Sequence, residues 1–115
     1  MILTVLKSKI HRAKVTGSDL DYEGSIAIDT NLMKAASLNE FEKVEIYNIN
    51  TGARFSTYVI NGKDGEISLN GAAARLVQKN DLIIIACYSQ IDEKEITNFK
   101  PRIVLVDEQN KELIK

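Results

Sequence analysis

The chain has 115 residues and a mass of 12.8 kDa, long enough to bury one core of its own and too short for a second domain. Its 15 Lys and Arg against 16 Asp and Glu leave a net charge of −1, and neither sign forms a long block, so no nucleic acid and no membrane surface is expected as a partner. The only cysteine, Cys87, excludes an internal disulfide, and the only histidine, His11, gives no basis for a metal site of the structural zinc kind.

The opening Met1-Ile2-Leu3-Thr4-Val5-Leu6-Lys7 lacks a basic stretch before its apolar run and a small-residue cleavage site after it, so it reads as strand rather than signal peptide. A soluble, cytoplasmic protein is expected. Residues 3–14 are rich in strand formers without clean alternation, and Ile26 and Ile28 alternate with small or polar neighbours. Thr30 is placed to cap a short helix carrying Leu32, Met33, Ala35 and Ala36. Val44 and Ile46 alternate next; a strand over residues 45–49 should turn through Asn50-Thr51-Gly52 into another over residues 54–60. The cluster Asn61-Gly62-Lys63-Asp64-Gly65 predicts a second turn, leading to a strand over residues 66–69. Gly71-Ala72-Ala73-Ala74-Arg75-Leu76-Val77 sets strong helix formers behind a glycine. Leu82-Ile83-Ile84-Ile85-Ala86 is continuously apolar, which suits a strand buried on both faces and is far too short to span a bilayer; Cys87, at its end, reads as a small buried hydrophobe. Asp92 and Glu95 have capping-box spacing for a third short helix, and Pro101 leads into a last strand over residues 103–106. Many short strands with few helices point to a small, mainly β barrel, whose closure removes sheet edges.

Four segments carry the chemistry: Ser8-Lys9-Ile10-His11-Arg12-Ala13, Tyr22-Glu23-Gly24-Ser25, Gly52-Ala53-Arg54-Phe55-Ser56-Thr57-Tyr58-Val59-Ile60 and Asn70-Gly71-Ala72-Ala73-Ala74. Each alone is ordinary, since Gly-Ser is a common turn dipeptide, single cations are mostly solvated and a strand tyrosine is mostly a packed ring with a hydrated tip. In this order, over residues 1–88, they resemble the pyruvoyl-dependent aspartate 1-decarboxylases, which supply β-alanine to pantothenate and coenzyme A biosynthesis. That resemblance implies a double-psi β-barrel with a few short helices, one domain over residues 1–115, assembled as a homotetramer. It is least specific from Ser89 onward, where the charged stretch Asp92-Glu93-Lys94-Glu95 reads as a solvated helix face.

The resemblance further implies that the chain is cleaved between Gly24 and Ser25, giving residues 1–24 and 25–115. Ser25 Oγ would attack the Gly24 carbonyl, which glycine leaves open to approach, and a donor aimed at the oxyanion, by resemblance Thr57, would stabilise it. Elimination and hydrolysis would then turn Ser25 into a pyruvoyl group, the covalent cofactor, which forms a Schiff base with the substrate L-aspartate and serves as electron sink in place of pyridoxal phosphate. Tyr58 becomes the proton donor, since a phenol is protonated at neutral pH. Arg54 and Lys9 would meet the two substrate carboxylates, with Thr57 and the Gly71, Ala72 and Ala73 backbone also in contact with substrate. His11, Tyr22 and Asn70 would shape the site. Maturation unaided or with a partner protein stays open. Two other readings remain: a non-enzymatic double-psi barrel that binds a ligand or protein, and a decarboxylase of a longer acidic amino acid such as glutamate.

Overall fold

The computed structural model describes residues 1–114. Apolar residues recurring at every second position build strands that turn one face inward. The elements run β1 (Ile2–Lys14), β2 (Gly17–Asp19), β3 (Ser25–Asp29), α1 (Thr30–Ala35), β4 (Lys43–Asn48), β5 (Arg54–Gly62), β6 (Ile67–Asn70), β7 (Leu82–Asp92) and β8 (Arg102–Leu105), with 3-10 helices at Gly71–Leu76 and Glu93–Asn98. In β4, Val44, Ile46 and Asn48 point inward, and in β7 Ile83 and Ile85 do the same. Val44, Ile46, Ile83 and Ile85 join Ile10, Ile26, Ile28 and Ile67 in a core of aliphatic side chains at most 1% exposed. Each fully buried aliphatic chain contributes roughly 1.5–3 kcal/mol.

The strand order is β2-β6-β3-β5-β4-β7-β1-β8. Strands β1 and β2 stand near opposite ends of that order, yet only Val15 and Thr16 separate them, so the sheet has to curl on itself. Those two residues make the seam: Val15 N donates to the Asp81 carbonyl and Thr16 N to the Ile67 carbonyl. The inserted strands are equally telling. Consecutive strands β5 and β6 are split by β3, parallel to β5 and antiparallel to β6. Consecutive strands β7 and β8 are split by β1, antiparallel to β7 and parallel to β8. Two such insertions give the double-psi barrel that the resemblance implies.

Several local expectations shift. Helix α1 is capped by Asp29, whose carboxylate accepts from Asn31 N at 2.8 Å, so Thr30 is already helical. The turn expected over residues 61–65 is tighter, because β5 runs through Gly62. The segment after Asn70 is a six-residue 3-10 helix, too short for a helix dipole to amount to much. The third helix is also 3-10, and Asp92 caps it through Lys94 N at 2.9 Å rather than through a box with Glu95. On β7, Ile83 and Ile85 are fully covered while Leu82 and Ile84 are half-buried, so only one face of that strand is entirely core. Strand β2 has three residues, two of them polar, and only its parallel pairing with β6 makes it a strand.

Candidate functional site

The chain enters the barrel at the Gly24–Ser25 peptide bond. Residues 20–24 are exposed, whereas Ser25 is 1% exposed and the rest of β3 is buried behind it. Ser25 Oγ makes two contacts: it donates to the Glu23 carbonyl at 3.4 Å, a long and weak bond, and accepts from Asn70 Nδ2 at 3.0 Å. The first turns the hydroxyl back along the chain, toward the peptide unit that precedes it. The second comes from the cross-strand partner, since β3 and β6 pair Ser25 with Asn70. Asn70 stands at the N-cap of the following 3-10 helix but makes no side-chain cap bond, its amide being spent on Ser25.

Gly71 comes next and has to be glycine. Its φ is +67°, and a Cβ there would stand 2.7 Å from Gly24 Cα and 2.9 Å from Gly24 N. Gly24 itself is under no such constraint, because a Cβ added to it meets nothing within 4 Å. The constrained glycine at this contact is therefore Gly71, which opens the 3-10 helix, rather than Gly24.

A groove of about 370 Å³ adjoins this contact, lined by Gly24, Thr57, Tyr58, Asn70, Ala72 and Ala73 among others. Three of the four motif segments thus meet. Tyr58 is 37% exposed, its ring tilted at 44° against Phe41 with centroids 6.4 Å apart. Tyr22 is exposed and lines a neighbouring, more polar groove with Asp19, Glu66 and Asn70, so Asn70 borders both.

Lys9, His11 and Arg54 do not line the Gly24 groove. Lys9 and His11 lie on β1, separated from β5 in the sheet by β4 and β7. Register nonetheless puts Lys9 and Arg54 on one face, because Lys9 pairs with Ala86, Ala86 with Glu45 and Glu45 with Ser56, two residues from Arg54 on β5. That face is the outward one, opposite Ile10, Ile46 and Ile85. Among the described residues neither Lys9 nor Arg54 has a carboxylate partner. Arg54 Cζ instead sits 3.9 Å above the Tyr47 ring, and the Tyr47 hydroxyl is 2.8 Å from that of Tyr88. Neither tyrosine belongs to a motif segment.

Among the described residues, His11 Nδ1 is buried without a hydrogen-bond partner. Burial, and then the positive charges of Lys9 and Arg12, hold its pKa below the ordinary imidazole value, which favours the neutral ring. Cys87 goes the other way: burial, then the Glu42 carboxylate, push its thiol up to about 11, so it is a protonated core group rather than a nucleophile.

Comparison with known proteins adds an independent line. Residues 1–113 match the family described as aspartate decarboxylase. A protein named aspartate 1-decarboxylase from Hydrogenobaculum sp. (strain Y04AAS1) is 59% identical over 106 residues, covering 92% of this chain and 85% of that one. One of the same name from Campylobacter hominis is 56% identical over 113 residues, 98% of this chain and 99% of its own length. Another from Caldicellulosiruptor bescii is 59% identical over 113 residues, 96% of this chain and 88% of that one.

Proposed function

The chain belongs to the aspartate decarboxylase family, and from that membership we propose that it converts L-aspartate to β-alanine and carbon dioxide with a pyruvoyl group made from its own Ser25. The observation that carries this reading is the setting of Ser25. A buried hydroxyl, held at 3.0 Å by Asn70, lies beside an exposed glycine against which Gly71 packs without a Cβ. An ordinary Gly-Ser turn needs none of these.

In the proposed maturation Ser25 Oγ attacks the Gly24 carbonyl carbon, the O–C bond forms and the C–N bond breaks, freeing the Ser25 amine. Asn70 Nδ2 orients the attacking oxygen, and Thr57, in the same groove as Gly24, donates to the oxyanion. No side-chain base lies within hydrogen-bond reach of Ser25 Oγ among the described residues, so the step is slow. Loss of the Ser25 α-proton then expels the Gly24 carboxylate, and hydrolysis of the remaining enamine releases ammonia.

The pyruvoyl group supplies a ketone that takes the substrate amine and holds the electron pair left by decarboxylation. The chain's own residues do the rest. Tyr58 delivers a proton to the former α-carbon from the rim of the groove. Arg54 takes one carboxylate through its planar fork, Lys9 offsets the other charge, and the backbone N–H groups of the Gly71, Ala72 and Ala73 segment donate to carboxylate oxygen. His11 and Tyr22 shape the surroundings. The assembly is a homotetramer working in the cytoplasm. Along β5 the backbones of Arg54 and Tyr58 are about 13 Å apart, and β1, which carries Lys9, lies about 14 Å across the sheet from β5. Neither Arg54 nor Lys9 lines the groove of its own chain, and in the proposed tetramer a neighbouring copy brings them to it.

Denaturing mass measurement tests the reading. Two fragments ending at Gly24 and beginning at residue 25, the larger with a blocked amino terminus, are expected, while Ser25→Ala stays intact and inactive. An uncleaved chain that decarboxylates aspartate would sink the proposal, and faster release of carbon dioxide from glutamate than from aspartate would change the substrate.

A further inference from the structure

The outward face of β4, β5 and β7 sets two tyrosines beside Arg54 that the reaction as proposed leaves unused. Arg54 Cζ lies 3.9 Å over the face of the Tyr47 ring, its direct cross-strand partner. A cation held over a ring face is attracted by the ring's negative quadrupole, and that attraction consumes none of the guanidinium N–H donors. A carboxylate partner would consume them, and among the described residues Arg54 has none. The stack therefore immobilises a long side chain while leaving its fork open to a ligand.

The platform is itself braced. The Tyr47 hydroxyl is 2.8 Å from the Tyr88 hydroxyl, although Tyr88 lies four residues along β7 from Ile84, the register partner of Tyr47. The two rings lean toward each other over Ala86, which faces outward yet is only 1% exposed. A larger residue at position 86 would hold the rings apart. Tyr47, Ala86 and Tyr88, together with Glu45, line a groove of about 630 Å³.

We propose that Tyr47 and Tyr88 are positioning residues: the hydroxyl pair fixes the Tyr47 ring, and the ring holds Arg54 with its donors free for a substrate carboxylate. This rests on the assignment of Arg54 to substrate binding. Neither tyrosine touches the reacting atoms, so the expected effect falls on KM for aspartate rather than on kcat or on cleavage after Gly24. For Tyr47→Leu in the mature tetramer, KM should rise about tenfold with kcat changed less than threefold, as for a side chain that loses its preorganisation. Tyr47→Phe keeps the ring but loses the bracing hydroxyl pair, so its KM should rise only about threefold. Tyr88→Phe should match Tyr47→Phe, and the double Phe variant should be no worse than either, because all three delete the same hydroxyl pair. Arg54→Ala separates the two readings. If it leaves KM unchanged, the assignment of Arg54 fails and the positioning role with it. If it raises KM while Tyr47→Leu does not, the positioning role alone is wrong. Should Tyr47→Leu fail to mature, Tyr88→Phe decides: an unchanged KM, or additive effects in the double variant, overturns the pair.

Discussion

Gly71 and Asn70 are neighbours with opposite ways of acting on one peptide bond. Gly71 acts by lacking a side chain: with φ at +67° and Gly24 Cα 2.7 Å from where a Cβ would sit, an alanine there strains its own backbone and displaces Gly24. Strain of this kind costs about 1–3 kcal/mol, and in the proposed maturation the displacement carries the Gly24 carbonyl away from Ser25 Oγ. Gly71→Ala should therefore lower the melting temperature and leave the chain largely uncleaved by mass. Asn70 acts by what it donates. Asn70→Ala leaves Ser25 Oγ with only the long bond to Glu23, and an orienting bond of about 1–1.5 kcal/mol corresponds to cleavage slowed roughly tenfold. The measurement is the fraction of the 25–115 fragment over time; unchanged cleavage in Asn70→Ala would remove Asn70 from the maturation step.

Asp29 ties three elements together at the far end of β3. Its 1%-exposed carboxylate accepts from Asn31 N in α1 at 2.8 Å and from Gly65 N in the turn before β6 at 2.7 Å, and it pairs with Lys111 at 3.6 Å. Burial alone would raise the Asp29 pKa, but the two backbone donors and the Lys111 charge together outweigh it and hold it below the ordinary carboxylate value. A folded pKa below the unfolded one means stability that is complete above an unfolded value of about 3.9 and is lost as pH falls through the folded one. Urea unfolding between pH 7 and pH 2 should show that acid limb, and Asp29→Asn should flatten it while costing about 1–2 kcal/mol at neutral pH; an unaltered limb would assign the acid loss to other carboxylates. These ties also mark how far the sequence could be read. Strands of four or more residues are legible because strand-forming content, alternation or a short apolar run is a local signal. Thr30 and Asp29 are both good capping residues, and only the buried end of β3 decides between them. Lys111, 82 positions from Asp29, gave no local signal of its pairing, and Tyr47 and Tyr88 gave none for the same reason. The motif segments exposed Ser25, Asn70 and Gly71 as a set, but not which of the two glycines, Gly24 or Gly71, is the constrained one.

At the scale of the molecule, one protomer holds the parts of the site on two surfaces. In the proposed reaction the groove with Gly24, Thr57, Tyr58, Ala72 and Ala73 receives the reacting atoms, while the sheet face with Lys9, Tyr47 and Arg54 supplies the cations. In the proposed homotetramer these surfaces meet between copies, since closed symmetric assembly repeats the same contact at every site. Two inactive variants distinguish sharing from self-sufficiency. A Ser25→Ala subunit cannot make the ketone but keeps Arg54; an Arg54→Ala subunit makes the ketone but loses the cation. If Arg54 reaches a neighbour's groove, co-expression creates sites that combine an intact Ser25 from one copy with an intact Arg54 from the other. Random assembly then restores roughly a quarter of the wild-type sites. If Arg54 serves its own protomer, every mixed site lacks one of the two groups, and the co-expressed sample is as inactive as its parents. Decarboxylation by the purified mixed tetramer, normalised to total protomer, reads out the difference, and no recovery would place the whole site within one chain.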